Sequence, residues 1–84
     1  MFEVYGTPQC PWCDRVKDLI SKNNLEYNYT DVSESIGAQK MFREKQLRTV
    51  PQVFLGDKHI GGYEATQQYL NKQYINDLKE TDVG

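Results

Sequence analysis

The alternation of apolar and polar side chains along this chain predicts four strands and three helices. Short stretches in which the two kinds of side chain alternate are typical of strands, whereas apolar residues three or four positions apart are typical of amphipathic helices. The expected strands are Phe2–Gly6, Leu25–Val32, Gln52–Leu55 and Lys58–Ile60. The expected helices run from Pro11 to about Asn23, from Ser33 to about Gln46, and from Tyr63 to about Lys79.

Residues with strong local preferences indicate where these elements begin and end. Pro11 suits the first turn of a helix, because the backbone N–H that it lacks has no helical partner there. The pair Asn23-Asn24 is expected to end the first helix, and Ser33 is expected to cap the N-terminus of the second. The buried positions expected on the first and last helices are Cys13, Val16, Leu19 and Ile20, and Ala65, Tyr69, Leu70 and Leu78.

The order of the elements, β-α-β-α-β-β-α, predicts an α/β fold. A right-handed crossover makes the first two strands parallel, and a tight turn at Gly56-Asp57 makes the last two antiparallel. The helices then cover both faces of a four-stranded mixed sheet, which is a thioredoxin-like architecture. We expect one domain that spans residues 1–84.

Composition and charge exclude several classes of partner. The formal net charge is −2, with 10 basic and 12 acidic residues mixed along the chain, so neither nucleic acid nor an anionic membrane is expected to bind. The first residues lack the features of a secretory signal, and no apolar stretch has the length needed to span a bilayer. We therefore expect a soluble cytoplasmic protein, and a monomer, since no apolar stripe remains beyond the predicted core.

The two cysteines, Cys10 and Cys13, are the residues with the clearest chemistry. A disulfide between them closes too short a loop to stabilise the fold by restricting the unfolded chain. Cys10 lies where a loop meets the first helix, and the free N–H groups and dipole there favour the thiolate, which is the attacking species. Cys13 lies one turn later on the apolar face, where it is expected to be buried and to displace a mixed disulfide from Cys10.

A structural zinc half-site and inert core thiols are the alternatives to a redox pair. A structural zinc ion takes about four Cys or His ligands. The chain offers Cys10, Cys13 and His59, so it does not contain a complete zinc site. Because the Cys-x-x-Cys pair follows a predicted strand and opens a predicted helix, the redox interpretation is preferred.

Three motifs occur in this order: Cys10-Pro11-Trp12-Cys13, Thr49-Val50-Pro51 and Gly61-Gly62-Tyr63. With them the chain resembles the glutaredoxins, from Phe2 to about Leu78. The resemblance implies an enzyme that reduces protein disulfides and glutathione mixed disulfides, with glutathione as the electron-donating co-substrate and no bound cofactor. It makes ribonucleotide reductase one candidate recipient of the electrons.

The resemblance also implies a glutathione site. In the family, the proline of the Thr-Val-Pro segment is cis and faces the cysteines, so the Val50 backbone is expected to pair with the extended tripeptide. The N-terminus of the last helix is expected to bind the γ-glutamyl carboxylate. Arg48 and Gln39 are expected near the glycyl carboxylate, although each could equally be a solvated surface residue. The expected glutathione-binding residues are Trp12, Gln39, Arg48, Thr49, Val50, Pro51, Gly62, Tyr63 and Glu64.

The chain departs from the family pattern at three positions. Thr7 stands where many glutaredoxins have Lys or Arg, Trp12 stands in place of the usual Tyr, and Ala65 stands where Asp is frequent. The missing cation leaves open a glutaredoxin-like redoxin that is reduced by thioredoxin reductase. A carrier of an iron–sulfur cluster, ligated by Cys10 and glutathione, is the alternative from another class. Pro11 argues against it, because in relatives a proline at this position accompanies the cluster-free form.

Overall fold

The computed structural model describes residues 1–72, and the four expected strands form one mixed sheet within this range. The strands are β1 (Phe2–Gly6), β2 (Tyr27–Asp31), β3 (Gln52–Leu55) and β4 (Lys58–Gly61). Their order in the sheet is β2-β1-β3-β4. β1 and β2 are parallel, whereas β1 with β3 and β3 with β4 are antiparallel. The mixed sheet expected from the order of the elements is therefore confirmed.

The helices are α1 (Pro11–Lys22), α2 (Ile36–Glu44) and α3 (residues 63–72). The expected end of α3 near Lys79 and the expected buried Leu78 lie outside the described residues. No helix in the described part of the chain is long and apolar enough to cross a membrane.

The expected stop of the first helix is confirmed, and it shortens the strand that follows. Asn23 is the C-cap of α1, and Asn24 has a left-handed backbone with φ of 58°. The Leu25 N–H then donates to the Ile20 carbonyl at 3.2 Å. This bond ties Leu25 to the end of α1, so β2 begins at Tyr27 and the prediction that it begins at Leu25 is wrong.

The predicted cap of the second helix is also wrong. The Asp31 side chain accepts hydrogen bonds from the Ser33 N–H at 2.9 Å and from the Ser33 hydroxyl at 2.6 Å. These bonds place Ser33 in a separate 3-10 turn, Val32–Glu34. The cap of α2 is Ser35, whose Oγ accepts from the Ala38 N–H at 3.1 Å.

Helices cover both faces of the sheet. Residues from β1, α1, β3 and α3 form the main core on one face: Phe2, Val4, Val16, Ile20, Val53 and Leu70. On the other face, the Tyr5 ring contacts Phe42 of α2 with centroids 6.1 Å apart and Phe54 of β3 with centroids 5.7 Å apart. The sheet is thus enclosed between α1 and α3 on one side and α2 on the other.

The buried faces of the helices agree with the prediction for α1 and differ from it for α3. Cys13, Val16 and Ile20 are buried in α1, and Leu19 packs half-buried against the same core. In α3, Leu70 is buried as predicted, but Ala65 and Tyr69 are only half-buried and the fully buried side chain is Thr66. The Thr66 hydroxyl donates to the Gly62 carbonyl at 2.8 Å, so its polar atom is satisfied inside the core, and hydropathy alone does not reveal this.

Candidate active site

Cys10 occupies the N-cap position of α1, directly after the loop that follows β1. Its backbone is extended, with φ of −138° and ψ of 98°, and its Sγ accepts a hydrogen bond from the Cys13 N–H at 3.1 Å. Pro11 is at the start of the helix, as expected. The first N–H groups of a helix lack helical partners and carry the positive end of its dipole. The Cys10 sulfur therefore lies where negative charge is stabilised.

The two cysteines form a disulfide in this structure, with their Cα atoms 5.2 Å apart. Cys10 keeps 9% of its surface accessible, whereas Cys13 keeps none. Cys10 is thus the more accessible of the two cysteines. The roles expected from the sequence, attack on substrate by Cys10 and a second, internal displacement by Cys13, stay predictions.

The Thr49-Val50-Pro51 segment lies against the cysteine pair. The Val50–Pro51 peptide bond is cis, as the resemblance implies, and Pro51 is buried. The Val50 carbonyl oxygen lies 3.9 Å from Cys10 Sγ. Two segments that are 40 residues apart in the sequence therefore meet at Cys10 Sγ.

A surface cavity of about 280 Å³ opens beside this contact. It draws residues from all three motifs that the sequence analysis singled out. The residues that line it are Trp12, Thr49, Val50, Pro51, Gly62, Tyr63 and Glu64. Seven of the nine residues predicted to contact glutathione are thus brought together at one place.

The other two predicted residues, Gln39 and Arg48, are not among the residues that line the cavity. The Gln39 side-chain amide donates to the carbonyl oxygens of Val32 at 2.9 Å and Ser33 at 3.4 Å. Its donors therefore hold the 3-10 turn before α2. Arg48 is exposed, one residue before the lining residue Thr49.

An aromatic wall borders the cavity. The Trp12 and Tyr63 rings are 5.4 Å apart and tilted by 55°, and Trp12 is 49% exposed. The Arg15 guanidinium lies over the Trp12 ring, 4.5 Å from its centroid. Arg15 was not predicted as a site residue. Because residues three apart on a helix are neighbours, its proximity to Trp12 could have been inferred from the spacing.

A buried polar side chain, Gln52, holds the Thr49-Val50-Pro51 segment through Thr49. Gln52, only 7% exposed, donates through Nε2 to the Thr49 carbonyl at 3.1 Å and to the Thr49 hydroxyl at 3.2 Å. Its Oε1 pairs with His59 Nε2 at 2.7 Å, and the His59 ring stacks on Phe54. The network fixes the start of the Thr49-Val50-Pro51 segment. It was not predicted from the sequence, because Gln52 and His59 lie on two different strands.

The described residues do not assemble a metal site from side chains of one chain. Within residues 1–72, no three His, Cys, Asp or Glu side chains lie close enough together to hold a metal ion. His59, the third ligand considered for zinc, instead bonds to Gln52.

Comparison with known proteins identifies the family. A family model described as Glutaredoxin matches residues 2–60. Glutaredoxin 1 of Escherichia coli strain K12 is 37% identical over 68 residues, which cover 71% of this chain and 80% of that protein. Two solved structures resemble the fold. A buckwheat glutaredoxin–glutathione complex has a TM-score of 0.72 at 26% identity, covering 94% of this chain and 76% of that one. The glutaredoxin-like NrdH-redoxin from Escherichia coli has a TM-score of 0.70 at 20% identity, covering 76% and 84%.

The site and the comparisons agree on the class of chemistry. A Cys-x-x-Cys pair opens α1, the more accessible sulfur lies at the helix N-terminus, and the family model covers both cysteines. The chain therefore belongs to the glutaredoxin family, whose members are thiol–disulfide oxidoreductases.

Proposed function

We propose that the protein is a glutathione-dependent oxidoreductase that reduces protein disulfides and glutathione mixed disulfides through Cys10 and Cys13. Glutathione is the electron-donating co-substrate, and ribonucleotide reductase is a candidate recipient. The protein works in the cytoplasm as a monomer. The observation that carries the proposal is the cavity beside Cys10, lined by all three motifs.

The chemistry of the cavity suits a short peptide with carboxylate ends. Val50 lines the cavity and its carbonyl lies 3.9 Å from Cys10 Sγ, and an extended peptide can pair with backbone at such a place as a further strand would. Tyr63 and Glu64 lie in the first turn of α3, whose N–H groups lack helical partners and favour a carboxylate. Trp12 and Tyr63 add apolar surface on one side. A γ-glutamyl tripeptide with an internal cysteine matches each of these features.

Reduction of a substrate disulfide takes two displacements. The Cys10 thiolate attacks one substrate sulfur, a Cys10–substrate disulfide forms, and the other substrate sulfur leaves as a thiolate that takes a proton from solvent. The Cys13 thiol then loses its proton, and its sulfur attacks Cys10 Sγ. The second substrate thiolate leaves, and the Cys10–Cys13 disulfide seen here remains.

Two molecules of glutathione return the protein to the dithiol. The first glutathione thiolate attacks Cys10 Sγ, releases Cys13 and forms a Cys10–glutathione disulfide. The second attacks the glutathione sulfur of that intermediate, so glutathione disulfide leaves and the Cys10 thiolate is restored. Two electrons thus pass from two glutathione molecules to the protein.

A redoxin that takes electrons from thioredoxin reductase is the second candidate. The position three residues before Cys10 is Thr7, where many glutaredoxins carry a cation that can contact glutathione. The NrdH-redoxin that shares this fold is described as having a thioredoxin-like activity profile. These two observations are the support for the second candidate, and the glutathione-dependent function is preferred because of the cavity.

Turnover of a small glutathione mixed disulfide, coupled to glutathione reductase, tests the proposal. The native chain is expected to turn over, Cys10→Ser to lose all activity and Cys13→Ser to keep most of it, because only Cys10 is needed for this substrate. An inactive native chain that is nevertheless reduced by thioredoxin reductase would establish the second candidate.

A further inference from the structure

Gly6, the last residue of β1, lies against the sulfur of Cys13. Gly6 is buried, and a Cβ atom at this position would lie 2.6 Å from Cys13 Sγ and 3.1 Å from Cys13 Cβ. It would also lie 3.2 Å from Cε1 of Tyr29. Ordinary contact begins at 3.4 Å, so the sulfur would be about 0.8 Å too close. The space that Cys13 Sγ occupies exists because residue 6 has no side chain.

The surroundings give the sulfur little room to move elsewhere. Cys13 is fully buried on the core face of α1. The Tyr29 ring borders the same space and is held by Lys17, whose ammonium lies 4.2 Å from the ring centroid. A side chain at residue 6 would therefore displace either the sulfur or a packed ring.

We propose that Gly6 is a positioning residue for the second displacement, in which Cys13 attacks Cys10 Sγ. In that step the Cys13 sulfur loses its proton and forms a bond to Cys10 Sγ, while the bond from Cys10 to the substrate sulfur breaks and that sulfur leaves as a thiolate. Gly6 lets Cys13 Sγ lie within reach of Cys10. The proposal depends on the dithiol chemistry of the family and not on glutathione as donor.

A glycine elsewhere in the chain provides a matched control. A Cβ at Gly37, in α2, would have no atom within 4 Å. Gly37→Ala therefore makes the same chemical change without touching the cysteine pair.

The experiment uses dithiobis(nitrobenzoate), an aromatic disulfide that releases a coloured thiolate at each displacement. One equivalent is mixed with the reduced native chain, Gly6→Ala, Gly37→Ala or Cys13→Ser, and release is followed over time. Attack by Cys10 gives the first thiolate and attack by Cys13 the second. We expect Gly6→Ala to release the first at the native rate and the second at least about tenfold more slowly, because a sub-ångström displacement of a reacting atom is costly. Gly37→Ala should release both at native rates.

A second thiolate released by Gly6→Ala at the native rate would overturn the proposal. The stability of the reduced proteins tests the contact separately, in case Gly6→Ala folds poorly. Urea unfolding is compared for Gly6→Ala, Cys13→Ala and the double variant. If Cys13 Sγ is the obstacle, Gly6→Ala destabilises less in the Cys13→Ala background. Equal destabilisation in both backgrounds would contradict the contact.

Discussion

Trp12, two residues after Cys10 in the sequence, exposes 49% of its surface, and its ring is close to the Tyr63 ring and the Arg15 guanidinium. A large apolar side chain left open at the edge of a cavity is typical of a binding surface. Trp12 is not among the residues that form the main core or pack against it. Trp12 should therefore affect the binding of substrate more than the stability of the fold.

Replacing Trp12 by Ala tests this at a single residue. We expect the KM for a glutathione mixed disulfide to rise about twofold to tenfold, because an aromatic contact contributes about 0.5–1.5 kcal/mol. The free energy of unfolding should fall by less than about 1 kcal/mol. Steady-state kinetics and urea unfolding measure the two effects. Ile36→Ala removes another exposed apolar side chain, 84% accessible and on α2, and should leave KM unchanged. An unchanged KM in Trp12→Ala would exclude the ring from the binding site.

Gly61 has a backbone conformation that residues with a side chain rarely adopt. Its φ is 126°, and a Cβ there would lie 2.9 Å from the Ala65 Cβ. Gly61→Ala should therefore lower the free energy of unfolding by about 1–3 kcal/mol, through backbone strain and this collision. Gly37→Ala, in a helix and without neighbours, should raise it by about 0.5–1 kcal/mol. Urea unfolding of both variants measures whether the free energy of unfolding falls or rises. An unchanged value in Gly61→Ala would refute the prediction for Gly61.

Among the elements, the first residue of α2 depends on which of two serines, Ser33 or Ser35, acts as its N-cap, and the contact between Asp31 and Ser33 determines this. Asp31 accepts both Ser33 donors, which leaves Ser35 to cap the helix. Gln39 reaches back from the first turns of α2 to the Val32 carbonyl at 2.9 Å. The start of α2 is thus fixed by the side chains of Asp31 at the end of β2, Ser35 at the cap and Gln39 in the helix itself.

Alanine at each serine distinguishes the two roles. Ser35→Ala should cost about 1 kcal/mol of stability, because it removes the acceptor for the Ala38 N–H. Ser33→Ala removes an exposed side-chain bond and should cost less than about 0.5 kcal/mol. Thermal or urea unfolding provides the comparison, and a larger loss in Ser33→Ala would mean that the cap is wrongly assigned.

The sequence predicted those parts of the elements that depend on local chemistry. Pro11 and Asn23 set the limits of α1 because each has a strong preference at a helix end. β3 matched its predicted limits because its apolar run is bounded by Pro51 and by the Gly56 turn. The position of α2 was mispredicted because Ser33 and Ser35 are equally good caps, and only the contact with Asp31 decides between them.

For the molecule as a whole, the sheet order brings the three motifs to one place. The antiparallel pairing of β1 with β3 sets the start of β3 beside the end of β1, which leads into Cys10. The motifs could therefore be recognised from the sequence, while their meeting depends on the assembled sheet. Contacts between neighbouring elements, such as Gly6 with Cys13 Sγ and Gln52 with His59, could not be predicted, because no local preference encodes them.

The central claim is that glutathione is the electron donor. The measurement that tests it most directly is the reduction of the oxidised native chain by each of two donors in separate reactions. Trp12, the one tryptophan of the chain, lies between the cysteines and reports the redox state through its fluorescence. The oxidised protein is mixed either with glutathione, glutathione reductase and NADPH, or with thioredoxin reductase and NADPH. We predict that glutathione reduces the Cys10–Cys13 disulfide and that thioredoxin reductase does not. Reduction by thioredoxin reductase alone, with glutathione ineffective, would contradict the account.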